Sequence, residues 1–220
     1  KGIIAVFNNG IEFLIGSLIL IFVTKLFSIE ESGVWIVFIT ILFMGTKFRE
    51  GLIQSGLMKF SIGVDERQKF NIYWISIFSC LIIEIILGSI AYVSSFLIQE
   101  VMLQSLLKHY SLMAIPQSLF RIMQFIRQSE LRVKEMAQAN LLLMFSILTA
   151  LCFSYFANIP FEMMPQMLGF GFGLALFYQI VHMKVWKWPA SLNRNSLPEG
   201  FLSYAFNGFL RELFGTLSSR

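Results

Sequence analysis

Apolar stretches of about 20 residues follow one another along the chain, and this feature limits its possible folds more than any other. An α-helix of about 20 residues crosses a hydrocarbon layer about 30 Å thick, because each residue rises 1.5 Å. Six such stretches occur, at residues 3–22, 35–58, 73–98, 106–126, 137–156 and 163–188. The sequence therefore predicts an all-α membrane protein with a bundle of six transmembrane helices plus the start of a seventh.

The composition favours the same fold class. Hydrophobic residues make up 56% of the 220 residues and charged residues only 14%, and a soluble domain of this size could not bury so much apolar surface. The net charge is +4. Because its basic residues flank apolar stretches, we expect them to face anionic headgroups of the phospholipid bilayer, with no nucleic acid as a partner.

Two segments follow the sixth stretch. Residues 189–200 have the polar composition of a loop, which predicts a linker. In residues 201–220, apolar residues return at helical spacing beside Arg211 and Glu212. This pattern predicts an amphipathic helix or the beginning of transmembrane helix 7.

The ends of the sequence bear on the size of the whole protein. The chain starts at Lys1 without an initiator Met, and it stops within the helical pattern of its last segment. We therefore expect it to be part of a longer protein, in which residues 1–188 form an N-terminal six-helix transmembrane lobe.

Basic loop residues predict the orientation of this lobe. Most of them lie on the side shared by the N-terminus and the loops after the second, fourth and sixth stretches: Lys1, Lys59, Arg67, Lys69, Arg127, Arg132, Lys134, Lys184, Lys187 and Arg194. The opposite side carries only Lys25 and Lys108. Since cytoplasmic loops are enriched in Lys and Arg, the N-terminus and the linker at residues 189–200 are predicted to be cytoplasmic.

Ionisable residues inside the apolar stretches are the first candidates for function. A charge at the centre of a bilayer costs at least ~2.5 kcal/mol, so such residues usually face a hydrated cavity or a charged partner. The candidates are Glu12, Lys47, Arg49, Glu50, Glu84 and Arg121. Lys47 and Glu84 fall near the middle of their stretches, whereas Arg121 falls in the cytoplasmic half.

Helical spacing groups some of these residues into polar stripes. In the fourth stretch Gln117, Arg121, Gln124 and Gln128 fall on one helix face, and in the second stretch Lys47, Glu50 and Gln54 do the same. Two polar stripes in lipid are expected to face each other across a cavity. The alternative is that Lys47, Arg49, Glu50 and Glu84 form structural ion pairs between helices.

Sequence motifs for enzymatic chemistry are missing. The chain contains no Gly-rich phosphate-binding loop, no Gly-x-Ser-x-Gly and no His-Glu-x-x-His. Cys80 and Cys152 lie within apolar stretches, where packing is their expected role. We therefore expect neither an enzyme nor a protein with a metal or other cofactor.

Five segments, in a fixed order, carry a resemblance to a known family: residues 7–20, 28–35, 48–57, 128–137 and 209–219. Ser-Ile-Glu-Glu-Ser-Gly-Val-Trp at residues 28–35 is similar to a family turn of the form Leu-x-Pro-Glu-Glu-Tyr-Gly-x-Trp, although it lacks the proline. Glu50-Gly51-Leu52 approximates the family's closing pattern of the second span. Together these segments resemble the first half of a Wzx-type polysaccharide flippase. The superfamily also holds the multidrug and toxin extruders.

The resemblance implies a bacterial inner-membrane protein of two lobes, of which this chain is one. Its implied function is to flip a polyprenyl-pyrophosphate-linked oligosaccharide across the membrane by alternating access, together with a second six-helix lobe. A pyrophosphate needs cations and polar donors, which makes a substrate site from Lys47, Arg49, Gln117, Arg121 and Gln124 the expectation. A coupling proton or cation would be carried by Glu12, Glu50 and Glu84.

The sequence is also compatible with other functions. A multidrug extruder of the same superfamily would have a more acidic and less cationic cavity. A non-transporting membrane assembly subunit would need only the structural ion pairs. An intramembrane protease or transferase would need a nucleophile and a base at membrane depth, and the sequence offers no such pair.

Overall fold

Helices form the whole regular structure of the part of the chain that the computed structural model describes. The described part is the backbone of residues 2–189 with residues 200, 204, 206 and 207, and the side chains from residue 10 onward except that of Glu12. The helices are α1 (Gly2–Leu26), α2 (Ile29–Phe60), α3 (Glu66–Ser95), α4 (Val101–Lys108), α5 (Tyr110–Ser129), α6 (Val133–Phe156) and α7 (Met164–Met183). Short 3-10 turns lie at Phe161–Met163 and Val185–Lys187. The predicted linker and the predicted start of a seventh transmembrane helix lie almost entirely outside the described residues.

Four of these helices are long and apolar enough to cross a membrane: α2, α3, α6 and the continuous helical segment Phe161–Met183. A shorter apolar helical segment covers Phe13–Leu26. Large apolar side chains also cover the outside of the bundle, as at Ile82, Ile85 and Phe145, which are more than half exposed. The prediction of an all-α fold is therefore confirmed for the described residues, and four of their helices are compatible with a membrane-embedded protein, whereas the count of six spans plus the start of a seventh stays a prediction.

Acidic loop residues fix the starts of three helices. Ser28 and Glu31 form a reciprocal capping box at α2: the Ser28 hydroxyl accepts from the Glu31 amide at 3.2 Å, and the Glu31 carboxylate accepts from the Ser28 amide at 2.7 Å. Asp65 caps α3 by accepting from the Gln68 amide at 2.7 Å. Glu100 caps α4 in the same way. These caps explain why the helices begin where the sequence turns acidic.

The predicted fourth span is divided in the structure, since α4 ends at Lys108 and α5 begins at Tyr110. At His109 between them, ring nitrogen Nδ1 lies 2.9 Å from the Ser105 carbonyl oxygen. The backbone amide of His109 instead donates to the Leu106 carbonyl at 3.1 Å. The backbone thus changes from four-residue to three-residue hydrogen bonding, and the helix tightens and turns at this residue.

Helix α5 packs against α7 over its longest contact and also contacts α3 and α2. Pro116 lacks the amide hydrogen that would bond to the Leu112 carbonyl four residues earlier. Gly169 of α7 lies against this carbonyl, so closely that an added Cβ atom would overlap it. The glycine therefore allows α7 to approach α5 at the point where the backbone of α5 is interrupted.

The two ends of the bundle differ in charge. At one end the α2–α3 and α5–α6 connections meet, where the Glu130 carboxylate binds Lys69 at 2.7 Å and Arg132 at 2.9 Å. At the other end the α1–α2 and α6–α7 connections meet, where Phe161 packs on Phe27 and Trp35. We call these the basic end and the acidic end, since Glu30, Glu31, Glu100 and Glu162 belong to the second.

Candidate functional site

A cavity of about 540 Å³ lies between α1, α2, α5, α6 and α7. It exists because α1 packs mainly against α6 and has little contact with α2, which leaves a gap between the first two helices. Most of the wall is apolar, with Ile15 and Ile19 on α1, Ile39 on α2, and Phe120 and Phe172 deeper in. The cavity therefore offers an apolar surface bounded by membrane-length helices.

Polar side chains from two helices meet on this cavity. Lys47 and Glu50 of α2 line it together with Gln117 and Arg121 of α5. The Lys47 ammonium lies 3.1 Å from the Glu50 carboxylate, and the Lys47 side chain is 43% exposed. By helix rise, Lys47 lies about 4 Å from the middle of α2 toward the basic end. Two cations and one carboxylate thus share a mainly apolar cavity.

Gln124, the third residue of the predicted α5 stripe, does not line this cavity but contacts a residue that does. It is buried and donates a hydrogen bond of 2.8 Å to the side-chain oxygen of Asn140 on α6. Asn140 itself lines the cavity. The Gln117 side-chain oxygen is buried and has no hydrogen-bond partner among the described residues. An acceptor is therefore available here for a donor from a ligand.

Arg49 and Glu84, by contrast, lie outside this cavity and pair with each other between α2 and α3. Their side chains are 2% and 0% exposed, and the Ser118 hydroxyl of α5 donates to the same Glu84 oxygen at 2.5 Å. This geometry fits the structural ion pair considered for these two residues. The cavity interpretation fits Lys47, Glu50 and Arg121.

The side chain of Glu12 lies outside the described residues, so the geometry of this predicted ion-coupling residue is not at hand. Sequence reasoning missed Asn140 and Ser118. The sequence could have indicated Asn140, because an amide buried near the start of an apolar helix is costly without a hydrogen-bond partner. The sequence does not indicate Ser118, since a serine in such a helix commonly donates to the backbone of its own helix.

No family model matches this chain, and neither a curated protein nor a solved structure matches it significantly. Among the described residues, His, Cys, Asp and Glu side chains form no group of three that could hold a metal ion. The charged and amide side chains that line the cavity are two cations, one carboxylate and two amides, those of Gln117 and Asn140.

Proposed function

We propose that this chain is a lobe of a membrane transporter, a flippase that moves a polyprenyl-pyrophosphate-linked oligosaccharide across the bacterial inner membrane. The observation that carries the proposal is the single cavity in which an apolar wall adjoins Lys47 and Arg121. A lipid-linked anion has the same two parts, a hydrocarbon tail and a charged phosphate. The cavity matches it in chemistry.

Each polar group in the cavity has a place in this proposal. Arg121 binds a phosphate oxygen pair through its planar guanidinium, and Lys47 adds a compact charge. The acceptor oxygen of Gln117 suits a sugar hydroxyl. The Glu50 carboxylate lies 3.1 Å from the Lys47 ammonium, so a phosphate that binds Lys47 competes with Glu50.

Alternating access requires a second six-helix lobe against which the cavity opens and closes. The basic end of the bundle is then the cytoplasmic end, where loop cations are enriched. Single-Cys labelling in intact cells tests this orientation, in a background without Cys80 and Cys152. An impermeant thiol reagent should leave positions 67 and 132 unmodified until the cells are permeabilised. Labelling of either position from outside would reverse the orientation.

Glycan export tests the proposed function, in cells that lack their own flippase and carry the full-length parent protein. We expect Arg121→Gln to reduce export about 10-fold to 100-fold at normal membrane abundance, because a charge-assisted hydrogen bond contributes about 1.5–3 kcal/mol. Arg121→Lys should keep part of the activity, since it retains the charge. Arg67→Gln, an exposed cation at the basic end, is the matched control and should export normally.

Glu50 favours one other transporter function, because a carboxylate in a mainly apolar cavity also suits an organic cation. A multidrug extruder would lose drug resistance in Glu50→Gln and keep it in Arg121→Gln, whereas the proposed flippase loses export in Arg121→Gln. Normal export by Lys47→Gln and Arg121→Gln, singly and together, would exclude both cations from the substrate path. Absence of export by the unsubstituted parent protein in the same cells would favour a non-transporting assembly subunit.

A further inference from the structure

A second cavity of about 400 Å³ lies on the far side of α2, between α2, α3, α4 and the start of α5. Its wall is almost entirely apolar, formed by residues such as Ile41, Met44, Phe48, Leu87, Ile90 and Leu107. From Leu87 to Ser94 it follows α3 for about 10 Å toward the acidic end. A cavity of this length with apolar walls suits an extended hydrocarbon chain.

The mouth of this cavity opens sideways from the bundle. Met44 on α2 is 68% exposed and Ile90 on α3 is 57% exposed, and both residues line the cavity. Both helices are long and apolar enough to cross a membrane. In a bilayer the mouth therefore opens into hydrocarbon, where lipid chains are the surrounding molecules.

A hydroxyl at the acidic end of the cavity has an unused donor. Several hydroxyls of these helices donate to the backbone of their own helix, as Thr46 does to Leu42 and Ser89 does to Ile85. Ser94 lines the cavity and its hydroxyl forms no hydrogen bond within the described part of the chain. An ester carbonyl of a glycerolipid at this depth would accept its proton.

A cation lies next to the same end. Lys108 follows the cavity residue Leu107, and its ammonium lies 5.5 Å from the centre of the Phe96 ring, just beyond α3. The acidic end is otherwise poor in cations, with Lys25 as the second lysine of its connections. The phosphate of a lipid whose acyl chain lies in the cavity would thus be near the Lys108 ammonium at the level of the headgroups.

We propose that this cavity binds one acyl chain of an anionic phospholipid from the leaflet at the acidic end. Ser94 donates to an ester carbonyl, and Lys108 pairs with the headgroup phosphate. The site is separate from the proposed substrate cavity, because the two cavities share no lining residue. It stands whether or not the chain transports a glycan.

Photocrosslinking tests the position of the chain. The parent protein is reconstituted in nanodiscs of phosphatidylglycerol and phosphatidylcholine, with a trace of phosphatidylglycerol that carries a diazirine in one acyl chain. We expect adducts at Met44, Phe48 and Ile90 several-fold above those at Phe145 and Phe153, which are equally exposed on α6. Equal labelling of both groups would mean ordinary boundary lipid and would overturn the proposal.

Substitutions test the cavity and the headgroup site separately. Ala91→Leu fills the cavity from its wall and should abolish the excess labelling, and Ser94→Leu at the acidic end of the cavity serves if Ala91→Leu fails to fold. Lys108→Gln should lower the preference for phosphatidylglycerol over phosphatidylcholine about fivefold. Lys25→Gln, the other cation of the acidic end, should leave it unchanged. An equal loss in both lysine variants, or unchanged labelling in folded Ser94→Leu, would contradict the proposal.

Discussion

Helix α5 has an open side, which lines the larger cavity, and a closed side, which packs against α3. Residues that are adjacent in the sequence form the two sides. Gln117 and Arg121 line the cavity with α1 and α2, whereas Ser118 is fully buried and donates to Glu84 at 2.5 Å. Helix α2 repeats the contrast, because Lys47 faces the cavity and Arg49, about 200° further round the helix, pairs with Glu84. Charged residues two positions apart can therefore have different roles, which depend on the helix that each one faces.

The largest effect should come from the closed side. Arg49→Gln leaves Glu84 without its cation in a site that is 0% exposed, and breaking a buried pair costs roughly 3–5 kcal/mol. We expect strongly reduced membrane abundance and a lower unfolding temperature in mild detergent. Glu84→Gln should behave in the same way.

The double variant separates structure from substrate binding. Arg49→Met with Glu84→Leu removes both charges, and it should recover most of the stability because well-packed apolar residues often replace a buried pair without loss. Glycan export should return with it. A stable double variant that does not export would assign Arg49 or Glu84 to the transport path and would remove the contrast between the two sides.

A smaller effect is expected where α5 meets α7. Gly169→Ala places a Cβ atom on the Leu112 carbonyl, so the helices must separate, and overpacking of this kind costs about 1–3 kcal/mol. The same change at Gly173, which has no neighbour within 4 Å of an added Cβ, is the control. Equal unfolding temperatures for the two variants would show that the close contact between Gly169 and α5 does not stabilise the bundle.

Much of the fold could be predicted from the sequence, because lipid leaves few alternatives. Runs of apolar residues near 20 in length locate the helices, and acidic residues such as Glu31 and Asp65 mark their starts by capping. The break at His109 could not be predicted, since neither Gly nor Pro stands at this position to mark the end of a helix. Helix periodicity carries no signal for such a break.

The candidate site could be predicted only in part. Spacing alone grouped Gln117 with Arg121 and Lys47 with Glu50, and the structure gives each pair a common face on the cavity. The partner of Arg49 could not be found in this way, because the choice between Glu50 and Glu84 depends on which helix packs beside α2. Likewise, Gln124 falls on the predicted stripe, but its bond to Asn140 belongs to the α5–α6 contact.

The smallest expected effect sharpens the comparison most. Lys47 and Glu50 also form an ion pair, at 3.1 Å, but the Lys47 side chain is 43% exposed on an open cavity. A Lys–Glu pair three residues apart on a helix, with one member exposed, contributes about 0.2–0.5 kcal/mol. A double-mutant cycle with Lys47→Gln and Glu50→Gln, measured by unfolding in mild detergent, should therefore give a coupling energy near this value. The cycle with Arg49→Gln and Glu84→Gln should give several kcal/mol, because each single change there leaves a buried charge. If the two coupling energies were equal, Lys47 would be as shielded as Arg49. The cavity would then be a packed interface, and Lys47 would have no access to a substrate.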